Sequence, residues 1–120
     1  MILVDTSIWI DHLHRREPDL VTLLEEAEAC VHPMIIGELA LGSLRDRSVI
    51  LSLLADLPGV RVATHAEVLR LIESHVLYGT GLSLVDAHLL AAVRLSETVR
   101  LWSRYRGLQS AARRLGVAAD

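Results

Sequence analysis

Lysine and phenylalanine are absent from this chain of 120 residues, and cysteine occurs once, as Cys30. A single cysteine excludes a disulfide within the chain and is typical of a reducing compartment, so we expect a cytoplasmic location. No apolar run approaches the roughly 18 residues that a membrane-spanning helix requires, and no signal-peptide pattern opens the sequence. We therefore expect no membrane role.

Positive charge is also in the minority. The chain has 12 basic residues, all of them arginine, against 15 acidic ones, so its formal net charge is −3. A protein that binds nucleic acid by charge alone is normally basic, so this class is disfavoured. Several arginines nevertheless stand near the C-terminal end: Arg100, Arg104, Arg106, Arg113 and Arg114. They form either a solvated helix face or a strip that binds phosphate, for which the planar guanidinium group is well suited.

Long polar linkers and repeats are missing as well. No stretch is rich in glycine, serine or proline, so we find no domain boundary and expect residues 1–120 to form a single domain. Hydrophobic residues make up 52% of the chain and charged residues 22%, which is typical of a globular protein. The apolar fraction is high for this size, and it suggests apolar surface that a partner or a second copy covers.

Short apolar segments alternate with amphipathic ones along the chain. Strands are predicted at Ile2–Val4, in ACVHP, in VRVA, in VRLW and at residues 117–118. Among the helices between them, one begins with a capping box from Thr64 to Glu67, and another is capped by Ser83. This alternation predicts an α/β fold with a parallel sheet and helices on both faces.

An isolated aspartate follows the first predicted strand. Asp5 comes directly after the apolar segment ILV, with the hydroxyl residues Thr6 and Ser7 next. Ligands of open α/β sheets gather at the carboxyl ends of the strands, so Asp5 lies where chemistry is expected. The alternative is a structural role at the start of the first helix, where Asp5 is a good capping residue and where Thr6 or Ser7 could also be the cap.

Two further acids lie in apolar surroundings. Asp86 falls on a helical stripe with Leu89 and Leu90, and Glu38 follows the apolar pair that begins at Ile35. An unpaired carboxylate in such a place needs a cation, a metal or a proton. Each acid could be paired with arginine or with backbone donors, but no arginine lies within a helical turn of any of the three. A functional acidic cluster is therefore favoured.

Three carboxylates without a thiol suit a hard cation. Mg²⁺ prefers oxygen ligands and is held by one or two carboxylates together with substrate phosphates. Because such a cation polarises phosphoryl oxygens and activates water, the acids and arginines together predict hydrolysis of a phosphodiester. The 6 histidines show no spacing typical of a metal site. We expect His32 at a strand end and His88 pointing away from Asp86.

The segments MILVDTSIWIDHL, IIGELALGSL and GLSLVDAHLLAAV, followed by LWSR, resemble in this order the PIN-domain ribonucleases, specifically the VapC-type toxins of toxin–antitoxin pairs. The resemblance covers nearly the whole chain. It implies a PIN-like three-layer α/β/α sandwich around a short-stranded parallel sheet, and endoribonuclease activity that depends on Mg²⁺ or Mn²⁺. It also implies RNA as substrate, a cognate VapB-type antitoxin as partner, and a homodimer.

The same resemblance assigns roles to individual residues. Asp5 and Asp86 match aspartates that bind the metal ion, and Glu38 matches a glutamate that supports the metal or the attacking water. Ser103 matches a hydroxyl that forms hydrogen bonds within the pocket.

Further residues are expected to support this set. Thr6 and Ser7 follow the first acid and bring two hydroxyls next to it. Among the C-terminal arginines, Arg104 and Arg106 are candidates for contact with the RNA backbone, since an arginine fork matches phosphate geometry.

One position departs from the family pattern. After the fourth predicted strand the family usually has an aspartate, its fourth acid, where this chain has Tyr105 in the segment SRYRGL. A neutral phenol is a poor ligand for Mg²⁺. Three acids can still hold one ion, but a second ion is disfavoured. Tyr105 either weakens the site or stacks on a base of single-stranded RNA.

Three functions remain to be compared. The leading hypothesis is a metal-dependent endoribonuclease toxin that an antitoxin inhibits. A catalytically impaired PIN domain that binds RNA or the antitoxin without cutting is the alternative, and Tyr105 favours it. A small structural protein with ion-paired acids would require arginine partners that the local sequence does not supply.

Overall fold

The computed structural model of the chain describes residues 1–119. Within them, three short strands and seven helices follow one another along the chain. The strands are β1 (Ile2–Val4), β2 (Ala29–Cys30) and β3 (Arg100–Trp102). The helices are α1 (Thr6–His14), α2 (Pro18–Glu25), α3 (Pro33–Ala40), α4 (Arg47–Ala55), α5 (His65–Ser74), α6 (Leu84–Arg94) and α7 (Arg106–Arg114).

The three strands form a parallel sheet in the order β2-β1-β3. Leu3 of the central strand pairs with Cys30 on one side and with Leu101 on the other. β1 is apolar throughout and Leu3 is fully buried, as expected for a parallel strand that is covered on both faces. The carboxyl ends of the strands meet at one edge, where the Asp5 amide donates a hydrogen bond to the Trp102 carbonyl. The α/β fold with a parallel sheet is confirmed.

The sheet is narrower than the sequence predicts. The segment VRVA forms no strand, and the pairing nearby is an isolated bridge between Val31 and Gly59. Pairing stops there because the neighbouring strand ends: His32, the residue after Val31, is the N-cap of α3. Residues 117–118 likewise contribute only an isolated bridge, from Ala118 to β3.

Helix α6 lies at the centre of the packing. Residues 87–93 of α6 are all buried, which is the pattern of a helix that is surrounded by protein on every side. α6 contacts both β3 and α5, while α3 contacts α1 and α4. The core therefore fixes α6 and α3, the two helices that carry Asp86 and Glu38, relative to the sheet edge that carries Asp5. No helix within residues 1–119 is both long and apolar enough to cross a membrane.

Candidate active site

Asp5 lies in a buried position at the carboxyl edge of the sheet, with only 6% of its surface exposed. Its Oδ2 atom accepts hydrogen bonds from the hydroxyls of Ser7 and Ser103, at 2.8 Å and 2.7 Å. No hydrogen bond within residues 1–119 reaches the Oδ1 atom. One oxygen therefore fixes the orientation of the carboxylate, and the other is left for a further ligand.

Asp5 also occupies the N-cap position of α1, but its carboxylate does not cap the helix. The backbone carbonyl of Asp5 accepts the first helical hydrogen bonds, from the amides of Ile8 and Trp9. The prediction that Thr6 or Ser7 caps this helix is wrong, because α1 begins at Thr6 and the Ser7 hydroxyl bonds to Asp5 instead. Helix capping therefore does not explain why residue 5 is an aspartate, because only its backbone takes part in the cap.

Asp86 is the third residue of α6 and belongs to a capping box. Its amide donates to the Ser83 hydroxyl at 3.1 Å, and its Oδ2 atom accepts from the Ser83 amide at 3.2 Å. Burial raises the pKa of the Asp86 carboxyl, the two Ser83 hydrogen bonds oppose this, and the negative charge of Asp5 raises the pKa further. The two aspartates therefore lie within electrostatic reach of each other, and both favour a nearby positive charge.

Glu38 joins this edge from α3. The Thr6 hydroxyl donates to its Oε1 atom at 2.6 Å, which ties α3 to the first residue of α1. The expectation of apolar surroundings is wrong for Glu38, since its side chain is exposed while Ile35 and Leu39 take the buried side of the helix. Glu38 is consequently open to water.

The three acids have no basic partner. No ion pair formed within residues 1–119 involves Asp5, Glu38 or Asp86. No three side chains of aspartate, glutamate, histidine or cysteine in this part of the chain converge into a ready metal cluster. The donors fit a hard cation that binds two carboxylates and takes its other ligands from water or phosphate, which is how Mg²⁺ is usually held.

The residues after β3 are tied to α1 through Ser7 and Arg104. The Arg104 amide donates to the Ser7 hydroxyl at 3.1 Å. The Arg104 guanidinium binds both Asp11 of α1 and Glu17 next to α2, and it lies 6.0 Å from the centre of the Trp102 ring. Arg104 thus positions the loop that carries Ser103, and its guanidinium is already engaged by two carboxylates.

Comparison with known proteins gives the family. The PIN domain model matches residues 2–114. This chain belongs to the PIN-domain family. It is 52% identical over 118 residues to proteins named "Ribonuclease VapC32" from two strains of Mycobacterium tuberculosis, and the match covers 98% of this chain and 95% of each relative. The resemblance to VapC-type proteins that the sequence segments indicate is confirmed.

In this PIN domain, Tyr105 is the residue for which the family resemblance predicts an acid, and it lies next to the Asp5 side of the site. Its amide donates to the Ser103 hydroxyl at 3.0 Å, and that hydroxyl in turn donates to Asp5. Its phenol oxygen lies 3.5 Å from the Gly81 carbonyl oxygen, at the outer limit of a hydrogen bond. Tyr105 therefore extends from the Asp5 side of the site to the loop that precedes α6.

His32 and His88 form a buried pair in the PIN domain that could not be recognised from their spacing in the sequence. His32 is 1% exposed and caps α3 by accepting a hydrogen bond from the Met34 amide, and its ring centre lies 6.4 Å from that of His88. Burial lowers the pKa of both rings, with proximity to His88 adding to the effect at His32 and proximity to His65 adding to that at His88. The sequence signal for burial of His88 was the apolar run on both sides of it. A helix without a polar face is buried all round, and a histidine on it is buried too.

Proposed function

We propose that this PIN domain is an endoribonuclease toxin that cleaves RNA phosphodiesters with a metal ion held by its acids. The observation that carries the proposal is the Asp5 carboxylate, which is buried at the carboxyl edge of the sheet, is held through Oδ2 by two hydroxyls, and has no ion pair within residues 1–119. The 52% identity to a protein named a ribonuclease supports RNA as the substrate class. The proposed domain spans residues 1–120.

Asp5 and Asp86 are the proposed ligands of Mg²⁺ or Mn²⁺, with Glu38 supporting the same site. Such an ion, when bound, polarises a phosphoryl oxygen and lowers the pKa of a bound water. The carboxylates themselves repel the phosphate of RNA, so substrate binding at this edge depends on the cation.

Glu38 is the proposed group that orients or deprotonates the attacking water. Its exposure gives water access to the carboxylate, and the hydrogen bond from Thr6 restricts the position of one oxygen. The Ser7 and Ser103 hydroxyls hold Asp5 so that its second oxygen stays available. Catalysis in this scheme depends on fixed carboxylates, and the loop that carries Ser103 is part of the site.

The two candidate arginines have different surroundings. Arg106 is exposed at the first position of α7 and forms no ion pair within residues 1–119, so it is available to bind an RNA phosphate. Arg104 binds Asp11 and Glu17, and we assign it to positioning the loop after β3. RNA binding by Arg104 would require it to leave both carboxylates.

The proposed protein partners are a VapB-type antitoxin and a second copy of the chain. Membership of the VapC group supports the antitoxin. The homodimer is supported by exposed apolar side chains on and before α4: Leu41, Val49 and Leu53. Light scattering after size-exclusion chromatography tests the dimer, and a monomer at micromolar concentration contradicts it. The single cysteine, Cys30, supports action in a reducing compartment such as the cytoplasm.

A catalytically impaired binding module is the second candidate function. It is favoured by Tyr105 at the place of the fourth acid and by the absence, within residues 1–119, of a ready cluster of three metal ligands. Such a protein would bind RNA or the antitoxin without cutting.

The substitution Tyr105→Asp separates the two functions. An active ribonuclease cleaves an RNA pool with the native tyrosine, and the added acid changes its rate by less than about tenfold. An impaired module shows no cleavage until Tyr105→Asp restores it. Thermal stabilisation by Mg²⁺ is expected in the nuclease, because a ligand that binds only the folded state raises its stability. Its absence at millimolar Mg²⁺ would count against a metal site.

A further inference from the structure

Tyr105 lies at the rim of the acidic edge with its ring partly open to solvent. It is 44% exposed, although its amide belongs to the hydrogen-bond chain through Ser103 to Asp5. Its phenol oxygen approaches Gly81, two residues before the cap of the helix that carries Asp86. The ring therefore lies between the two segments that present the aspartates.

The absence of a side chain at Gly107 leaves room for this ring. A Cβ atom on Gly107 would lie 2.9 Å from the Cε2 atom of Tyr105, closer than real Cβ contacts allow. The ring thus packs directly on the Gly107 backbone in the first turn of α7. A ring that already rests on backbone loses less conformational freedom when a flat ligand binds than a side chain that is free in solvent.

We propose that Tyr105 is a stacking site for one nucleobase of single-stranded RNA, next to the phosphate that the acids would act on. This inference rests on the proposed function. Aromatic faces bind unstacked bases of single-stranded RNA, and the interaction tolerates any base because every base has a π face. An aspartate at this position would repel the RNA phosphates, whereas the tyrosine ring offers an uncharged face on which a base can stack.

A nucleobase explains the site better than a phosphate does. Tyr105 is uncharged, and its approach to Gly81 directs the hydroxyl toward a carbonyl oxygen, so the ring face is the part of the side chain left for a ligand. Phosphate is better matched by the neighbouring Arg106, which is exposed at the start of the same helix. A base on Tyr105 and an adjacent phosphate near Arg106 would be parts of one bound strand.

The test measures RNA binding without cleavage. Fluorescence anisotropy of a short labelled single-stranded RNA in Ca²⁺, which can screen the carboxylates in place of Mg²⁺, gives dissociation constants for the native protein, Tyr105→Ala and Tyr105→Phe. A denaturing gel of the same samples checks that the RNA stays intact. We expect Tyr105→Ala to bind about ten- to a hundredfold more weakly, since loss of one base–aromatic stack has roughly this effect. Tyr105→Phe keeps the ring and should bind within about twofold of the native protein. Tyr78→Ala is the matched control, because Tyr78 is the chain's other tyrosine and is 60% exposed.

A second experiment removes the nucleobase from the RNA instead of the Tyr105 ring from the protein. A set of RNAs, each with one abasic position, is compared on the native protein and on Tyr105→Ala. One abasic position should weaken binding to the native protein by about the same factor as Tyr105→Ala, and should have little further effect on Tyr105→Ala itself.

The variant Gly107→Ala displaces the ring while the hydrogen bond from the Tyr105 amide can remain. It should weaken RNA binding in the presence of Tyr105 and have no further effect in a Tyr105→Ala background. Circular dichroism confirms that each variant is folded.

The outcomes separate this inference from the proposed function. Equal RNA binding by the native protein and Tyr105→Ala, with cleavage intact, overturns the stacking site and leaves the nuclease standing. RNA binding that depends on Tyr105, without metal-dependent cleavage, supports the stacking site and contradicts the nuclease. Weakened binding in Tyr105→Phe as well as in Tyr105→Ala would show that the hydroxyl and not the ring carries the effect, and would also overturn the inference.

Discussion

At the residue scale, Asp5 shows how a side chain gains its chemical role from distant parts of the chain. Its place could be predicted, because an acid after an apolar strand is visible in the sequence. Its orientation could not, since one of its two hydroxyl donors, Ser103, is 98 positions away. Only the family resemblance pointed to that hydroxyl. The local alternative, a helix cap, failed because the carboxylate bonds to two hydroxyls and makes no capping hydrogen bond.

Removal of the Ser103 hydroxyl tests the orientation of Asp5. Ser103→Ala should lower the RNA cleavage rate by tenfold or more, because the aspartate can then rotate and the Tyr105 amide loses its acceptor. We expect the free energy of unfolding to fall by about 1–2 kcal/mol, as for a buried hydrogen bond. Urea unfolding and cleavage assays measure the two effects. Ser110→Ala, at an exposed position of α7, is the control and should change neither.

The hydrogen bond between Thr6 and Glu38 provides a second residue-scale prediction. Thr6→Val keeps the shape of the side chain and removes the donor, so Glu38 is no longer held and cleavage should fall several-fold. Thr6→Ser restores a hydroxyl and should recover most of the rate. Stability should change by less than about 1 kcal/mol, since the site is exposed and water can replace the bond. Equal rates in the valine and serine variants would contradict the role of Glu38.

At the element scale, the two capping boxes form a matched pair. Ser83 caps α6 beside Asp86, whereas Thr64 caps α5 and bonds to Glu67, which is not among the candidate site residues. Both Ser83→Ala and Thr64→Ala should destabilise the protein by about 1 kcal/mol. Only Ser83→Ala should also lower metal affinity and cleavage, because it releases Asp86 from its position. Equal activity losses in both variants would mean that the Ser83 cap acts through stability alone.

Elements that depend on residues close together in the sequence could be predicted, and elements that depend on distant contacts could not. The capping box from Thr64 to Glu67 and the cap at Ser83 were predicted from the sequence, because a cap depends on residues three positions apart. The return hydrogen bond from the Ser83 amide to Asp86, which completes the second box, was not predicted. The segment VRVA was wrongly predicted as a strand, because pairing depends on where the neighbouring strand ends, and the chain enters α3 directly after Val31. The burial of His88 was missed for a similar reason, since it follows from the central position of α6 in the packing.

At the scale of the whole molecule, the His32 and His88 pair predicts a loss of stability in acid. Burial lowers the pKa values of both rings in the fold from the ordinary 6.5. The unfolded chain therefore binds protons near pH 6.5 that the folded chain does not, so stability is highest above this pH and falls as the pH decreases. The expected slope is about 1.4 kcal/mol per pH unit for each histidine concerned.

Urea unfolding between pH 7.5 and 5 measures this slope. His88→Leu should reduce it, and the variant should fold because the buried Nδ1 atom of His88 has no partner within residues 1–119 that the substitution would leave unpaired. His14→Gln, at an exposed position, should leave the slope unchanged. A native slope close to zero would contradict the lowered pKa values, because the folded and unfolded chains would then take up the same number of protons.

The central claim is that the acids at the sheet edge cut RNA with a metal ion. The most direct measurement is cleavage of a mixed RNA pool by the purified protein, free of antitoxin, in Mg²⁺, Mn²⁺ and EDTA. Asp5→Asn is the test variant, and Asp56→Asn, which changes an exposed acid at the C-cap of α4, is the matched control. We expect cleavage that requires metal, disappears in Asp5→Asn and persists in Asp56→Asn. Cleavage that persists in EDTA or in Asp5→Asn, or no cleavage by the folded native protein, would contradict the claim.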